Sequence, residues 1–354
     1  MAPRSTIRTV VLLAAVVTLM PTQVAAQQTP TPFGAAVEVS RILTEVRVVK
    51  FDGNPVLGLG PDDFKVKVAG EPVEVESVLW VPSTADAAKT APTPSQGGSS
   101  AERQAPEGRL IVVLFQVDPG FHPSRTSGLI QMAPRASDFV AKLAPRDRVA
   151  VMVFRSHLQL RADFTDDHAA ISEMLTTSEI LKGRGAPPKP SGPRLSAHFD
   201  VDEARDAASI ERALELIGFA LQPIPGPKSL VLFGYAIGLM TAGPGITNND
   251  DYPRAMQALT AARTSVFALD LTDADYHSLE LGLRVVTEDT GGFYIKTRIF
   301  PEIAMTKLAR VISSYYELSL IPPPDLGNAF SIKVKVDRPR VEVYTRQYHP
   351  SDYE

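Results

Sequence analysis

The sequence contains no cysteine in its 354 residues. This absence excludes a disulfide-rich scaffold, a zinc site built on thiolates and any lipid attached through cysteine. A chain without such cross-links must be held together by its hydrophobic core. Its hydrophobic content of 44%, with only 7% aromatic residues, is typical of globular α/β proteins and excludes a fibrous or wholly disordered chain.

Excess positive charge is also missing, because 36 lysines and arginines face 40 aspartates and glutamates, for a net charge of -4. Binding to nucleic acid depends on clustered basic side chains that neutralise phosphates. We therefore expect no nucleic-acid partner and no attachment to an anionic membrane surface.

Long apolar runs are absent except near the amino terminus. There, Arg4 and Arg8 precede the apolar run 10–20, and the small residues Val24-Ala25-Ala26 follow it. This arrangement is typical of a secretory signal and is short for a transmembrane span. It predicts a signal peptide over residues 1–26, whose removal takes away two arginines and changes the net charge from -4 to -6. We therefore expect an exported protein, periplasmic or secreted, that does not insert into a membrane after cleavage.

The strongest strand signal lies in Arg109–Gly120, RLIVVLFQVDPG. Leu110 to Phe115 is a continuous apolar run, which is typical of a strand buried on both faces of a parallel sheet. The residues after it, Gln116 to Gly120, stand where open α/β sheets place their ligand sites.

Alternating strand patterns occur at both ends of the chain. Residues 33–81 predict an amino-terminal β segment and residues 314–348 a carboxyl-terminal one, each with one polar face. Between them, residues 82–107 are too poor in large apolar side chains to fold and predict a flexible linker. The two β segments are expected to pack together as a small antiparallel module, because neither can bury its apolar face alone.

Strands and helices alternate over residues 108–313, which predicts a doubly wound, mostly parallel, Rossmann-like sheet. Further strands are predicted over 149–154, 229–233, 264–269 and 293–295. Helices are predicted over 126–143, 166–175, 202–221, 252–263, 279–288 and 301–313. Pro134 is expected to kink or divide the first helix, and Asp200 with Asp202 is interpreted as the N-cap and first-turn charge of the third.

Several short segments, in this order along the chain, resemble a known family. They are Val56–Leu59, Asp62–Phe64, Leu143–Val151, Phe164–Asp167, Pro225–Leu232, Val266–Asp270, Thr287–Gly292 and Tyr315–Leu318. Together they resemble the exported bacterial proteins called acidobacterial VWFA-related, and the resemblance covers nearly all of the mature chain. It implies a von Willebrand factor type A (VWA) domain flanked by β strands.

The resemblance also implies where a metal site would lie. VWA domains with a working metal-ion-dependent adhesion site carry Asp-x-Ser-x-Ser after the first strand, a threonine from a later loop, and an aspartate, often before glycine, after a central strand. Such oxygen ligands suit Mg²⁺. The matching positions here are Gln116, Asp118 and Gly120, then Gly234 and Tyr235, and no threonine is assigned to the loop position. Because two carboxylates are replaced, the sequence predicts a degenerate site that holds no metal and no other cofactor.

A shifted alignment keeps one alternative open, in which Asp118, Ser124 and Thr126 hold Mg²⁺ in a rearranged site for metal-dependent adhesion. Their spacing departs from the motif, because Ser124 and Thr126 follow Asp118 by six and eight residues instead of two and four.

Catalytic motifs are absent as well. The chain has no Gly-x-Ser-x-Gly elbow and no His-Glu-x-x-His pair, and residues 234–238, GYAIG, lack the spacing of a phosphate-binding loop. The six histidines lie in predicted loops or polar termini and are interpreted as solvated surface residues: His122, His157, His168, His198, His277 and His349. No catalytic residue is predicted, and a hydrolase whose groups meet only in space stays as the second alternative.

Tyr315 and Tyr316 are adjacent on a predicted strand and therefore point to opposite faces. One ring is expected in the core, and the other is a candidate aromatic platform for a ligand. Taken together, the sequence predicts a non-catalytic, exported protein-interaction module that works without a metal, with an unidentified envelope or extracellular protein as its partner.

Overall fold

The computed structural model describes residues 41–82, 108–176, 180, 186–240, 246–247, 249–274, 276–327 and 329–349. The predicted signal peptide (1–26), the first residues of the predicted β segment (33–40) and all but Pro82 of the predicted linker lie outside these residues. Within them, no helix has the length and apolar character needed to cross a membrane.

The described residues form sixteen strands and seven α-helices. The strands are β1 (Ile42–Lys50), β2 (Phe64–Val68), β3 (Glu71–Val73), β4 (Val75–Val81), β5 (Leu110–Gln116), β6 (Arg148–Phe154), β7 (Leu158–Thr165), β8 (Lys228–Gly234), β9 (Leu239–Met240), β10 (Ile246–Thr247), β11 (Thr264–Asp270), β12 (Tyr294–Lys296), β13 (Tyr315–Leu320), β14 (Phe330–Val336), β15 (Val341–Thr345) and β16 (Tyr348–His349). The helices are α1 (Pro123–Ala141), α2 (His168–Thr176), α3 (Val201–Asp206), α4 (Ile210–Leu221), α5 (Tyr252–Ala261), α6 (Glu280–Thr290) and α7 (Pro301–Val311).

A six-stranded sheet with the order β12-β11-β8-β5-β6-β7 forms the centre of the α/β domain. All neighbours are parallel except β6 and β7, which are antiparallel. Numbered within the sheet, the order is 6-5-4-1-2-3, which is that of a doubly wound fold. The mixed α/β class and the mostly parallel sheet predicted from the sequence are therefore confirmed.

Strand β5 lies in the middle of this sheet, and all seven of its residues are buried. Leu110, Val112 and Leu114 point into the core under α4 and α5. Ile111, Val113 and Phe115 point into the opposite core, under α1, α2 and α7. A strand covered by helices on both faces has no wet side, which explains its uninterrupted apolar sequence.

Two predicted helices differ from the observed ones, and one observed strand was not predicted. Helix α1 begins at Pro123 rather than Thr126 and continues through Pro134, because its apolar face packs into the core along its length. The helix predicted over 202–221 is divided into α3 and α4, since Ser209 accepts a hydrogen bond from the Arg212 amide and starts a new helix. Strand β7 was not predicted. The interpretation of Asp200 as an N-cap is confirmed, because its carboxylate accepts from the amides of Asp202 and Glu203.

Two antiparallel sheets join the two ends of the chain, with the orders β15-β1-β13-β4 and β16-β14-β2-β3. Strand β1 pairs with β13 and β15, and β2 pairs with β14. Tyr316 lies in the core between them, 1% exposed, with its ring centroid 5.7 Å from Phe64 and 4.7 Å from Trp80. We call these two sheets the β module; one of the two adjacent tyrosines is in the core, as the alternation predicts.

The β module contacts the α/β domain beside the amino ends of the parallel strands. Arg263, just before β11, forms ion pairs with Glu45 on β1 and Glu317 on β13, at 3.0 and 3.2 Å. Arg346, just after β15, donates to the carbonyl of Thr264 at 3.2 Å. The two ends of the parallel sheet are therefore different: the β module covers the amino edge, and loops form the carboxyl edge.

Candidate functional site

Gln116 ends strand β5 at the switch point of the sheet, where the resemblance places the first metal-binding aspartate. Its side chain is buried, and its Oε1 accepts hydrogen bonds from the amides of Tyr235 at 2.9 Å and Ala236 at 3.2 Å. Gln116 therefore binds the loop after β8 directly and closes the crevice between the two strands. Gly234 leaves room for this contact, because a Cβ there would lie 2.9 Å from Oε1.

Asp118 lies two residues further on, and protein groups occupy both of its carboxylate oxygens. Oδ1 accepts from the Gly120 amide at 2.9 Å, while Oδ2 accepts from the His122 amide at 3.3 Å and from Nη1 of Arg125 at 2.9 Å. Burial raises the pKa of Asp118, but these hydrogen bonds outweigh burial, so the net pKa is lowered and the carboxylate stays ionised.

Arg125 connects Asp118 to the other side of the crevice. Its guanidinium carbon lies 4.2 Å from the ring centroid of Tyr235, in cation–π geometry. The positive charge beside Asp118 is therefore supplied by the first turn of α1. The positions Gln116, Asp118, Gly234 and Tyr235 come together as the resemblance implies, but they bind one another and Arg125.

The remaining predicted positions lie close by on the loop and on α1. Gly120 is exposed and contributes its amide to Asp118. Ser124 Oγ lies 3.0 Å from Nδ1 of His122, and the Thr126 amide donates to the His122 carbonyl at 3.0 Å. Thus Asp118, Ser124 and Thr126, the candidates for a rearranged metal site, belong to one short segment in which Arg125 already pairs with the only carboxylate of the three.

A second group of polar residues lies at the same edge, around Asp270 at the end of β11. Asp270 is buried; its Oδ1 accepts from the Thr272 amide at 2.9 Å, and its Oδ2 accepts from His277 Nε2 at 2.7 Å and the Tyr294 hydroxyl at 2.6 Å. Burial alone would raise the pKa of Asp270, but the hydrogen bonds from His277 and Tyr294 lower it overall.

Glu280, at the start of α6, extends this group. Its carboxylate pairs with Lys296 at 2.6 Å and with Arg284 at 3.3 Å. Asp270, His277 and Glu280 each offer one ligand atom, and these atoms lie within 4.8 Å of one another. One imidazole and two carboxylates form a ligand set that Zn²⁺ or Mn²⁺ accepts. A dication would have to compete with Lys296 for Glu280 and with Tyr294 for Asp270.

The interpretation of all six histidines as solvated surface residues is wrong for four of them. His157 is half-buried, and its Nε2 lies 2.7 Å from the side-chain amide of Gln159. His277 binds Asp270, His168 Nε2 lies 2.8 Å from the Asp147 carbonyl oxygen, and the ring of His349 stacks on Phe330 at 4.8 Å. The Asp270–His277 pair spans seven positions across a loop, so no periodic pattern marks it. The one available signal was an aspartate at the end of a buried strand with a histidine in the loop that follows.

Large apolar side chains are exposed around this edge. They lie in segments that follow β5, β11 and β12: Phe121, Tyr276, Ile299, Phe300 and Ile303. Phe121 has a φ of 52°, a left-handed conformation that is strained for an aromatic residue. Arg155 lies over its ring, 4.4 Å from the centroid.

No protein-family model and no curated protein matches this chain. Solved structures that resemble it include the conserved hypothetical protein BatB from Bacteroides thetaiotaomicron, with 14% identity, a TM-score of 0.39, and coverage of 58% of this chain and 98% of that one. An aerotolerance-related membrane protein from Bacteroides fragilis, carrying mutations to serines, has 13% identity, a TM-score of 0.37, and coverage of 58% and 96%. A von Willebrand factor type A protein from Catenulispora acidiphila has 9% identity, a TM-score of 0.40, and coverage of 89% and 75%.

Proposed function

We propose that this protein is an exported, non-catalytic interaction module with a VWA-like domain, and that it binds a protein partner at the carboxyl edge of its parallel sheet without a metal ion. The observation that carries the proposal is the contact of Arg125 with Asp118 at 2.9 Å. A guanidinium stands beside the one carboxylate left in the degenerate motif. The doubly wound strand order and the family resemblance of the sequence support the VWA-like assignment.

The contacts of Gln116 support a site that works without metal. Adhesion through a metal needs an open coordination position for a carboxylate of the partner. Gln116 contributes one amide oxygen, which already accepts from two backbone amides, and Gly234 offers no side chain. These neutral hydrogen bonds, with the ion pair of Arg125 and Asp118, support a crevice that works without a metal ion.

The exposed apolar side chains support a protein as the ligand. Aromatic and aliphatic groups that are exposed together, near polar groups held in place, are typical of the centre of protein–protein interfaces. Phe121 supports the same conclusion, because strained backbone is concentrated at functional sites. Export rests on the predicted signal peptide over residues 1–26.

Titration with Mg²⁺ and Mn²⁺, followed by calorimetry and by thermal unfolding, tests the metal-free part. We expect neither ion to bind below millimolar concentration or to raise the melting temperature of the wild-type protein, since a ligand of the native state must stabilise it. The variant Arg125→Met removes the positive charge that competes with a metal ion for Asp118. It is titrated in the same way as the wild type for comparison. Submillimolar binding to the wild type that is lost in Asp118→Asn would contradict the proposal.

Affinity capture from the envelope extract of the source organism tests the interaction part. The wild-type mature chain is compared with Phe300→Asp at the carboxyl edge and with Leu57→Asp in the β module, whose side chains are 63% and 65% exposed. Aspartate suits the N-cap position that Phe300 occupies in α7, so the fold is retained. We expect one protein to be captured by the wild type and by Leu57→Asp but not by Phe300→Asp. Equal capture by all three chains would contradict the assigned surface.

The Asp270, His277 and Glu280 group favours a second candidate, adhesion that depends on a transition metal. For this candidate we expect Mn²⁺ or Zn²⁺ to bind the wild type and Asp118→Asn but not His277→Asn. The same Asp270–His277 pair is the observation that favours a hydrolase. A panel of ester, peptide and phosphate substrates tests it, and turnover that is lost in His277→Gln would overturn the non-catalytic proposal.

A further inference from the structure

A cavity of about 500 Å³ lies at the amino edge of the parallel sheet, at the junction with the β module. Arg47 on β1 and Tyr315 on β13 line one side, and Arg148 on β6 and Lys228 on β8 line the other. Arg109 also faces it. Among the described residues that line the cavity there are four basic side chains and no acidic one.

Arg47 is the most deeply placed of these cations, with 3% of its surface exposed. Its guanidinium lies between the rings of Phe267 and Tyr315, at 5.4 and 5.7 Å from their centroids. Its contacts with polar groups are long: Nη1 donates to Ser265 Oγ at 3.4 Å, and Nη2 lies 3.9 Å from Glu45. Nε is buried and has no hydrogen-bond partner within the described part of the chain. A buried guanidinium with such weak pairing is unfavourable for the folded state, and burial lowers its pKa.

Arg148 repeats this pattern on the opposite wall. Its Nε is buried without a hydrogen-bond partner, and its side chain forms no ion pair with any residue that the structure describes. Gly192 leaves room for this side chain, because a Cβ at that position would lie 2.4 Å from Nε. Arg109, in the same cavity, is instead paired with a carboxylate, since Asp147 accepts from its Nε at 3.0 Å and from its Nη2.

Lys228 adds a third positive group, almost fully buried. Its ammonium donates to the carbonyls of Ile224 and Ala262. Burial, and then the nearby charge of Arg263, lowers the pKa of Lys228 to about 8. Glu45, the acid whose charge acts on Lys228, is already paired with Arg263 at 3.0 Å. The cavity therefore has a surplus of positive charge with hydrogen-bond donors left over.

Apart from Ser229 and Ser313, the side chains of the remaining wall are apolar. Residues Ile224, Pro225 and Pro227 line it beside the Tyr315 ring. Arginine guanidiniums are the usual protein groups for carboxylates and phosphates, and a wall of prolines and an aromatic ring suits a hydrocarbon body. We propose that this cavity binds a small amphiphilic anion, with its carboxylate or phosphate at Arg47 and Arg148 and its apolar part against Ile224 to Pro227.

This site is separate from the carboxyl edge and does not depend on the function proposed there. Because its walls come from both the β module and the parallel sheet, the ligand would contact both parts of the protein. Arg47 has only long polar contacts, and Arg148 has no ion pair among the described residues. Because a bound anion would add a close acceptor to both, it is expected to stabilise the folded chain.

Calorimetry on the mature chain with acetate, octanoate, inorganic phosphate and octyl phosphate tests the proposal. We expect at least one octyl probe to bind with submillimolar affinity, roughly tenfold or more tighter than the matching probe without a hydrocarbon tail, and to raise the melting temperature. Comparison of octanoate with octyl phosphate distinguishes a carboxylate from a phosphate head group.

The variants Arg47→Met and Arg148→Met should each weaken binding roughly tenfold or more, because each removes a charge-assisted hydrogen bond. Arg338→Met is the matched control, since it removes the same charge from an exposed pair with Asp63 outside the cavity. Arg148 is only partly buried, so its variant carries the test if Arg47→Met does not fold. Unchanged affinity in both cavity variants, or no binding of any probe at about 10 mM, would overturn the proposal.

Discussion

The two edges of the parallel sheet differ in how their charges are paired. At the carboxyl edge, Asp118 and Asp270 are both ionised carboxylates whose oxygens accept hydrogen bonds from neighbouring groups. At the amino edge, Arg47 and Arg148 are cations whose buried Nε atoms have no hydrogen-bond partner among the residues that the structure describes. Doubly wound sheets place ligands at the carboxyl ends of their strands. Here the polar groups of that edge accept hydrogen bonds within the protein, and its exposed side chains are apolar. The edge covered by the β module has the opposite character, because its cations have few acceptors.

The largest effect is expected from breaking the ion pair of Arg109 with Asp147, the well-paired cation that lines the cavity. Asp147 is fully buried and accepts from the backbone amides of Arg109 and Ala144 as well as from the Arg109 side chain. Asp147→Ala should lower the free energy of unfolding by about 3–5 kcal/mol, because it leaves Arg109 and two amides without their acceptor. Urea denaturation measures the loss. A loss below about 1 kcal/mol would show that this edge tolerates unpaired cations.

A smaller loss is expected from opening the carboxyl edge. Gln116→Met fills the same space but removes the acceptor of the Tyr235 and Ala236 amides. The free energy of unfolding should fall by about 2 kcal/mol, since two amides lose their partner. Gln116→Glu keeps an oxygen at this position and serves as the comparison. Equal stability of Gln116→Met and the wild type in urea would mean that the crevice does not depend on this contact.

The smallest effect is a dependence of the free energy of unfolding on pH, which differs between the two edges. Burial, with the nearby charge of Arg346, lowers the pKa of His349 from 6.5 to about 4. A histidine kept neutral by the fold contributes stability above pH 6.5 that is lost as the pH falls towards 4, because the unfolded chain takes up the proton first. Asp270 at the other edge has a lowered pKa, so its contribution is lost only at lower pH.

We therefore expect about 1–2 kcal/mol of stability to be lost between pH 6.5 and 4 through His349, less than the full shift implies because the ring is partly exposed. His349→Phe should lose less stability over this pH interval, since a phenyl ring also stacks on Phe330. If the wild type and His349→Phe lost the same stability between pH 6.5 and 4, the loss would come from groups other than His349.

The sequence is informative about the fold because the fold depends on periodicity. The apolar run of β5 marks a strand buried on both faces, and the alternation of strands and helices leads to a doubly wound sheet. The ends of helices are harder to predict where a single local contact determines them. Helix α3 ends at Asp206, and Ser209 begins α4 by accepting a hydrogen bond from the Arg212 amide. Pro134 lies within a helix because the packing of its neighbours outweighs a lost backbone bond.

The sites depend on contacts that no pattern encodes. Gln116 and Gly234 are recognisable as replacements, but the hydrogen bond from the Tyr235 amide joins positions 119 residues apart. Arg125 reaches Asp118 because α1 starts at Pro123, which places Arg125 in the first turn of the helix. The sequence predicted this helix to start three residues later, at Thr126. The amino-edge cavity is harder still to foresee, since Arg47 reaches it only after the β module has packed on the parallel sheet.

The pairing of the chain's two ends has a consequence for the order of folding. Thr44 on β1 and Thr345 on β15 are hydrogen-bonded at 3.3 Å although 301 positions separate them. At a synthesis rate of ~5–20 residues per second, β1 waits roughly 15–60 s for the strands on either side of it. The α/β domain can collapse during this time, so the first strand made is among the last to be paired. Until then its open edges are a site for aggregation, and a chaperone or rapid export would have most effect on this interval.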